Sequence, residues 1–323
     1  MKAINKEDLA AVFNAEVDKH PGAICIANYK GGVGKTTITT LIGYYLAKKG
    51  KRVLLIDIDA QCSLTLAVGY DLNNLQNKDK TIFNLVLPTQ WTKIRNVEFN
   101  QYIYPVPDAY APSTLKIIRG SFDVDELDIT ISQSIINSKR HLNELYTYCR
   151  QMLYSLKDQF DYILIDCPPN KMYLTQAMLR ACPYYIAVTI PDKISTFGVP
   201  RMKNWIDKIE PEVKPKMLGC ILNGVNRAGG YETGTANQKT AEAALRRSIT
   251  NLLNLEEKKV IGTSPVLAHI PKLDVISRFL SQDEAKTARF DFSKQPTGQS
   301  SVDTIMMNLI SKIETTIKGY AKP

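Results

Sequence analysis

Short, continuous apolar runs recur along the chain at residues 23–28, 52–57, 162–166, 185–190, 217–222 and 266–270. A strand with one wet face would alternate, so these runs predict strands buried on both faces. Between them, apolar positions fall three and four apart. That spacing predicts a helix from Thr36 to about Lys49, with Leu41, Ile42, Tyr45 and Leu46 facing inward and Gly50 as its C-cap. Further helices are predicted around 141–157, 199–209 and 238–255. Strands alternating with helices predict an α/β fold, a mostly parallel twisted sheet with helices on both faces. No repeat or low-complexity linker interrupts the pattern, so residues 23–323 read as a single domain. Residues 1–22 read as a short helical extension, with Leu9, Val12, Phe13 and Val17 on one face and His20-Pro21-Gly22 ending it. Residues 71–125 hold Asn73-Asn74, Pro88, Pro105, Pro107 and Pro112, and read as an irregular insertion of loops and short elements.

The tail bears on function. Over 301–323 a stripe of Val302, Ile305, Met306, Leu309, Ile310, Ile313 and Ile317 predicts a helix packed on the core. A membrane-surface helix needs a basic opposite face, whereas here Lys312 and Lys318 are offset by Asp303 and Glu314.

Composition adds a partner class. Lys plus Arg is 41 against 32 for Asp plus Glu, a formal charge of +9, which makes a polyanion such as nucleic acid a plausible partner. The six cysteines contain no C-x-x-C pair, so they predict buried thiols in a reducing compartment rather than zinc or iron–sulfur ligands. Charged residues at Lys2, Lys6, Glu7 and Asp8 leave no signal-peptide core, and no run is apolar enough to span a bilayer. The expectation is a soluble, cytoplasmic protein.

Candidate chemistry is concentrated in Lys30-Gly31-Gly32-Val33-Gly34-Lys35-Thr36-Thr37, between the first strand and the first helix. Glycines let successive N–H groups turn onto phosphate oxygens, and the helix that follows presents unpaired N–H groups and its positive end. Lys35 would meet the β- and γ-phosphates, the Thr36 hydroxyl would complete a Mg²⁺ shell, and Thr37 would reach the α-phosphate. The usual G-x-x-x-x-G-K-[ST] pattern has glycine at position 29, but this chain has Tyr29 and an extra lysine, Lys30. Asp57 and Asp166 end apolar strands at the carboxyl edge of the sheet, where a nucleotide sits. Asp166 would hold Mg²⁺ through water and Asp57 would order the same shell. Asp59, two residues on, would orient the attacking water.

The loop resembles that of the ParA/MinD family of ATPases, which share the deviant K-G-G-V-G-K-T-T form. The resemblance continues at Asp57-Ile58-Asp59-Ala60-Gln61, similar to the family's D-x-D-x-Q switch. It continues again at residues 160–169, which match its Y/F-D-x-I-x-I-D-x-P-P segment, and more weakly at Ala268-His269-Ile270-Pro271. The resemblance implies Mg²⁺ and ATP as cofactors, and slow hydrolysis that awaits an activator. It also implies an ATP-dependent homodimer in which Lys30 crosses to the partner's nucleotide. Asn223 and the backbone near Pro271 are the expected adenine contacts, with a plain turn role for Asn223 the alternative.

Relatives of this loop drive three kinds of output. Cysteine spacing argues against a redox enzyme like the nitrogenase iron protein, and the neutral tail argues against a MinD-like membrane-positioning ATPase. The pattern is most similar to ParA-like (Soj-like) partition ATPases. These imply a nucleoid-associated protein that binds nonspecific DNA with ATP, is switched off by a ParB-like activator, and positions a plasmid, chromosome region or protein cargo. Arg227, Lys239, Arg246 and Arg247 are the expected DNA contacts, with Arg201, Lys203 and Lys208 as further basic residues on a neighbouring helix.

Overall fold

A computed structural model describes residues 19–71, 80–91, 98–107, 111–135, 140–209, 214–225, 235–262, 264–272 and 302–321. The sequence reading of residues 1–18 as a helix lies outside them. In chain order, the first half comprises β1 (Ala23–Ala27), α1 (Lys35–Lys48), β2 (Val53–Asp57), α2 (Ser63–Ala67), α3 (Ile82–Leu85), α4 (Pro88–Trp91), β3 (Ile103–Pro105), β4 (Leu115–Ile118), α5 (Val124–Ile135) and α6 (Arg140–Ser155). The second half comprises β5 (Tyr162–Asp166), α7 (Tyr173–Ala181), β6 (Tyr184–Thr189), α8 (Lys193–Ile209), β7 (Lys216–Val225), α9 (Ala236–Leu252), α10 (Leu255–Ile261), β8 (Val266–Pro271) and α11 (Val302–Tyr320).

The eight strands form one sheet in the order β3-β4-β2-β5-β1-β6-β7-β8. Every neighbouring pair is parallel except β3 with β4. Successive residues of each central strand serve opposite layers. Ala23, Cys25, Ala27, Leu54 and Ile56 pack with side chains of α5 to α9. Ile24, Ile26, Val53 and Leu55 pack with Ile38, Leu41, Ile42 and Tyr45 of α1 and with Met306, Leu309, Ile310 and Ile313 of α11. That two-sided burial is why the strands read as unbroken apolar runs. Among the described residues no helix is long and apolar enough to cross a membrane.

Two details differ from the sequence reading. Residues 71–125 contribute two strands to the sheet, and β4 pairs in parallel with β2 through Leu54↔Lys116 and Ile56↔Ile118. Four residues between Pro112 and Gly120 are too few for a periodic signal, so the stretch looked irregular. The cap of α1 is Lys49, and Gly50 is the left-handed residue after it at φ +78°. Lys51 N–H donates to Leu46 O (3.1 Å) and Gly50 N–H to Ala47 O (2.8 Å), a Schellman stop.

Parallel pairing puts the carboxyl ends of the central strands at one edge. Asp57 and Asp166 are direct partners across β2 and β5, and the loop from β1 to α1 leaves the same edge.

Candidate functional site

The loop after β1 is held by the chain's own side chains. Asn28, buried at the strand end, donates from Nδ2 to Val188 O (2.7 Å) and accepts from Lys30 N–H at Oδ1 (3.1 Å). Gly32 and Gly34 take left-handed backbone at φ +72° and +89°. The φ of Gly34 favours glycine, and a Cβ there would also stand 2.1 Å from Asn223 Nδ2 and displace that amide. Val33 is fully buried and pins the loop's centre, while its carbonyl accepts from Asn223 Nδ2 (3.0 Å).

Lys35 begins α1, is 7% exposed, and donates to the Lys30 carbonyl (3.3 Å). Burial lowers its pKa, opposed by the nearby Asp166 charge. Thr36 Oγ1 donates to Asp166 Oδ2 (2.6 Å), and Thr39, one turn on, lies 3.1 Å from Asp166 Oδ1. Burial and the neighbouring Asp57 push the Asp166 carboxyl up to about 7, against its hydrogen bonds and Lys35. A carboxylate this buried, with a hydroxyl oxygen against it and a glycine-rich loop beside it, suits a hard cation completed by phosphate and water.

Asp57 is fully buried and faces elsewhere. Its Oδ2 accepts from Thr65 N–H (2.8 Å) and Thr65 Oγ1 (2.7 Å), and its Oδ1 from Asp59 N–H (3.3 Å). Burial raises its pKa to about 6. Its partners are therefore in the switch loop and α2 rather than on α1. Asp59 closes that loop, accepting from Gln61 N–H (3.0 Å), and Cys62 has the one positive φ of a non-glycine among the described residues.

Lys30 leaves the loop sideways. Its ammonium donates to Ser195 Oγ at the start of α8 and sits 3.5 Å from Asp192 Oδ2. Asp192 in turn caps α8 by accepting from Ser195 N–H (2.7 Å). Tyr29, in the usual glycine position, packs edge-on against Trp205 at 5.2 Å, with the Lys171 ammonium over both rings.

Asn223 ends up against the phosphate loop, and Pro271 is buried at the end of β8, one strand over. The basic residues separate into groups. Lys239 and Arg247 are exposed on α9, and Arg201 and Lys208 on α8. Arg246 is tied down, 2.5 Å from Glu242 Oε1 and 2.6 Å from Ser264 Oγ, with His269 on the other Glu242 oxygen (2.8 Å). Lys203, which the sequence reading grouped with surface charges, is 1% exposed and paired with buried Glu257 (2.9 Å) and with Asp207 (3.3 Å). Arg227 lies outside the described residues. All six cysteines are free and buried.

Sequence reasoning missed Asn28, Thr39, Thr65, Asp192 and Ser195. Asn28 carried a signal, as a buried amide where an apolar strand meets a glycine loop. The others reach the site only through distant pairings.

A parallel sheet whose first strand feeds a glycine-rich turn into a helix, beside a strand-end Asp on the helix's first threonine, defines the P-loop class of nucleotide-binding proteins. The AAA domain family AAA_31 matches residues 22–218, and the chain belongs to it and to the ParA/MinD-type P-loop ATPases. A ParA family protein of Chlamydia pneumoniae is 28% identical over 251 residues, 75% of this chain and 90% of its own. An uncharacterized protein of Mycobacterium tuberculosis is 30% identical over 259 residues, 77% of this chain and 73% of its own. Among solved structures, apo McdA from Cyanothece aligns with TM-score 0.63 at 18% identity, covering 93% of this chain and 98% of that one. The Pyrococcus furiosus cell division ATPase MinD aligns at 0.58 and 20%, covering 91% and 98%. Cobyrinic acid a,c-diamide synthase from Mycobacterium smegmatis, solved with ADP and magnesium, aligns at 0.56 and 22%, covering 70% and 81%.

Proposed function

We propose that this chain is a ParA-like switch that binds Mg²⁺ and ATP, pairs with a second copy, holds DNA without regard to sequence, and lets go after hydrolysis. The contact between Thr36 and Asp166 beside buried Lys35 carries the nucleotide part of this reading, because a hydroxyl oxygen against a buried carboxyl suits a cation, and the loop beside it suits an anion. In it, the N–H groups of Gly31 to Gly34 and the Lys35 ammonium hold the phosphates, and Thr37 reaches the α-phosphate. Thr36 and Asp166 would hold Mg²⁺, which would supply charge neutralisation to the phosphates. Asp57 keeps the switch loop in register with that shell, and Asp59 orients the water that attacks. Asn223 and the Pro271 turn border the adenine end.

Lys30 is the residue that crosses to the partner's nucleotide. Two facing triphosphates repel, so one lysine from each side makes the pairing favourable. The exposed Lys239 and Arg247, with Arg227, then face DNA phosphates, and pairing doubles their number on one duplex. A ParB-like activator ends the cycle. Met306, Leu309 and Ile313 of α11, buried in the core, weigh against the membrane-positioning alternative.

The test is gel shift on unrelated duplexes across a salt series, with ATP, with ADP and without nucleotide, beside flotation on anionic liposomes. ATP-dependent binding that falls steeply with salt is expected. Liposome binding without ATP-dependent DNA binding overturns the DNA reading.

A further inference from the structure

Asp166 is gripped by two hydroxyls of α1, one turn apart. Thr36 takes Oδ2, and Thr39 sits against Oδ1. The second contact is unusual for its place. A threonine inside a helix ordinarily gives its single proton to the carbonyl four residues back, as Thr40 does to Thr36 O (2.9 Å). Thr39 has that option at Lys35 O (2.9 Å) and also has a carboxylate oxygen within reach. The carboxyl oxygen thus competes with the helix carbonyl for the Thr39 hydroxyl. Thr39 is fully buried, and its β-branched side chain is stiff, so its oxygen is a fixed point 127 positions from Asp166 in sequence.

We infer that Thr39 is a positioning residue for Mg²⁺. Its hydroxyl fixes the rotation of the Asp166 carboxylate so that Oδ2 stays on the Thr36 side, where the cation is held. Mg²⁺ keeps several waters in a near-octahedral shell, so a carboxylate that takes one of those waters is a poorer partner when it is free to turn about its Cβ–Cγ bond. The hydroxyl of Thr39 meets Lys35 O and Asp166 Oδ1. It acts through Asp166, as the outer hydrogen-bond partners of metal ligands do.

This rests on the reading of Asp166 as the Mg²⁺ residue, and the experiment keeps the two apart. ADP affinity is measured by calorimetry with Mg²⁺ and with EDTA, and the ratio is the gain due to the metal. In Thr39→Val, which keeps the shape and loses the hydroxyl, that gain falls by about tenfold, while affinity in EDTA stays at the parental value. Thr39→Ala behaves the same way, and covers the case in which the valine fails to fold. Thr39→Ser restores the gain. A parental gain in both Thr39→Val and Thr39→Ala, or a loss in Thr39→Ser as large as in Thr39→Val, overturns the inference. If Asp166→Asn itself keeps the parental gain, it is the underlying assignment of Asp166 that fails.

Discussion

Lys30 already has an anion within its own chain. The Asp192 carboxylate holds its ammonium at 3.5 Å, with side-chain exposures of 39% and 42%. An ion pair this open is worth about 0–1 kcal/mol, so it biases the lysine without locking it. Burial works to raise the Asp192 pKa, yet hydrogen bonds from Ser195 and the Lys30 charge keep it low, so Asp192 is ionised at neutral pH. If Lys30 crosses to a partner's phosphates, it first leaves this contact. Asp192→Asn keeps an acceptor for the α8 cap and removes the charge. It should lower the ATP concentration needed for pairing by roughly two- to fivefold in light scattering, the range open to an exposed ion pair. Lys30→Ala should abolish pairing while still binding nucleotide. A rise in the ATP requirement of Asp192→Asn would mean that Asp192 helps the pairing rather than opposing it.

The same bookkeeping at the level of whole elements decides which basic side chains are free. On α9, Arg246 faces Glu242 and Ser264, whereas Lys239 and Arg247 point to solvent. Arg246→Ala should therefore cost stability, about 1 kcal/mol by chemical unfolding, and alter DNA affinity little. Lys239→Ala and Arg247→Ala should each lower the salt slope of DNA binding by about one, uniformly across sequences. An Arg246→Ala variant with parental stability and weakened DNA binding would reverse that order. None of this was visible in the sequence, where three basic residues on a helix look equivalent. What was visible follows a rule: signals that lie within one element survive. The apolar runs announced β1, β2 and β5 to β8, and the loop from Lys30 to Thr37 announced itself by spacing alone. The strand order is different. β5 enters between β2 and β1, and nothing in the local pattern of residues 162–166 says so. Thr39 and Asp192 were illegible for the same reason, because their partners are brought in by that order.

Across the whole molecule, the sheet edge holds Asp57 and Asp166 side by side with pKa values raised to about 6 and about 7, chiefly by burial. Without nucleotide and Mg²⁺, the folded chain holds these protons more tightly than the unfolded chain does. The stabilisation they give is complete below the ordinary 3.8 and is lost as pH rises through about 6 and about 7. The steepest loss for one such carboxylate is about 1.4 kcal/mol per pH unit. His20, whose pKa is lowered by burial, works the opposite way near its ordinary 6.5, so the slope of the parent alone is a mixture. The difference between the parent and Asp166→Asn isolates the carboxylate. In thermal melts, Asp166→Asn should gain stability relative to the parent as pH rises from about 4 to about 7, and saturating Mg²⁺ with ADP should flatten the parent's own slope. A difference that does not change with pH would show that Asp166 titrates at its ordinary value.

The aromatic contact beneath the phosphate loop gives the molecule a native optical signal. There are two tryptophans. Trp91 is sealed in the core, with its indole N–H on Val86 O at 2.9 Å. Trp205 lies edge-on to Tyr29, next to the first lysine of the loop, under the Lys171 ammonium. A neighbouring ring and a cation close to an indole both bear on its emission, so movement of Tyr29 or Lys171 should change Trp205 fluorescence. Trp91→Phe would leave a single emitter, and mixing that unlabelled protein with ATP in a stopped-flow instrument would time the loop as it responds.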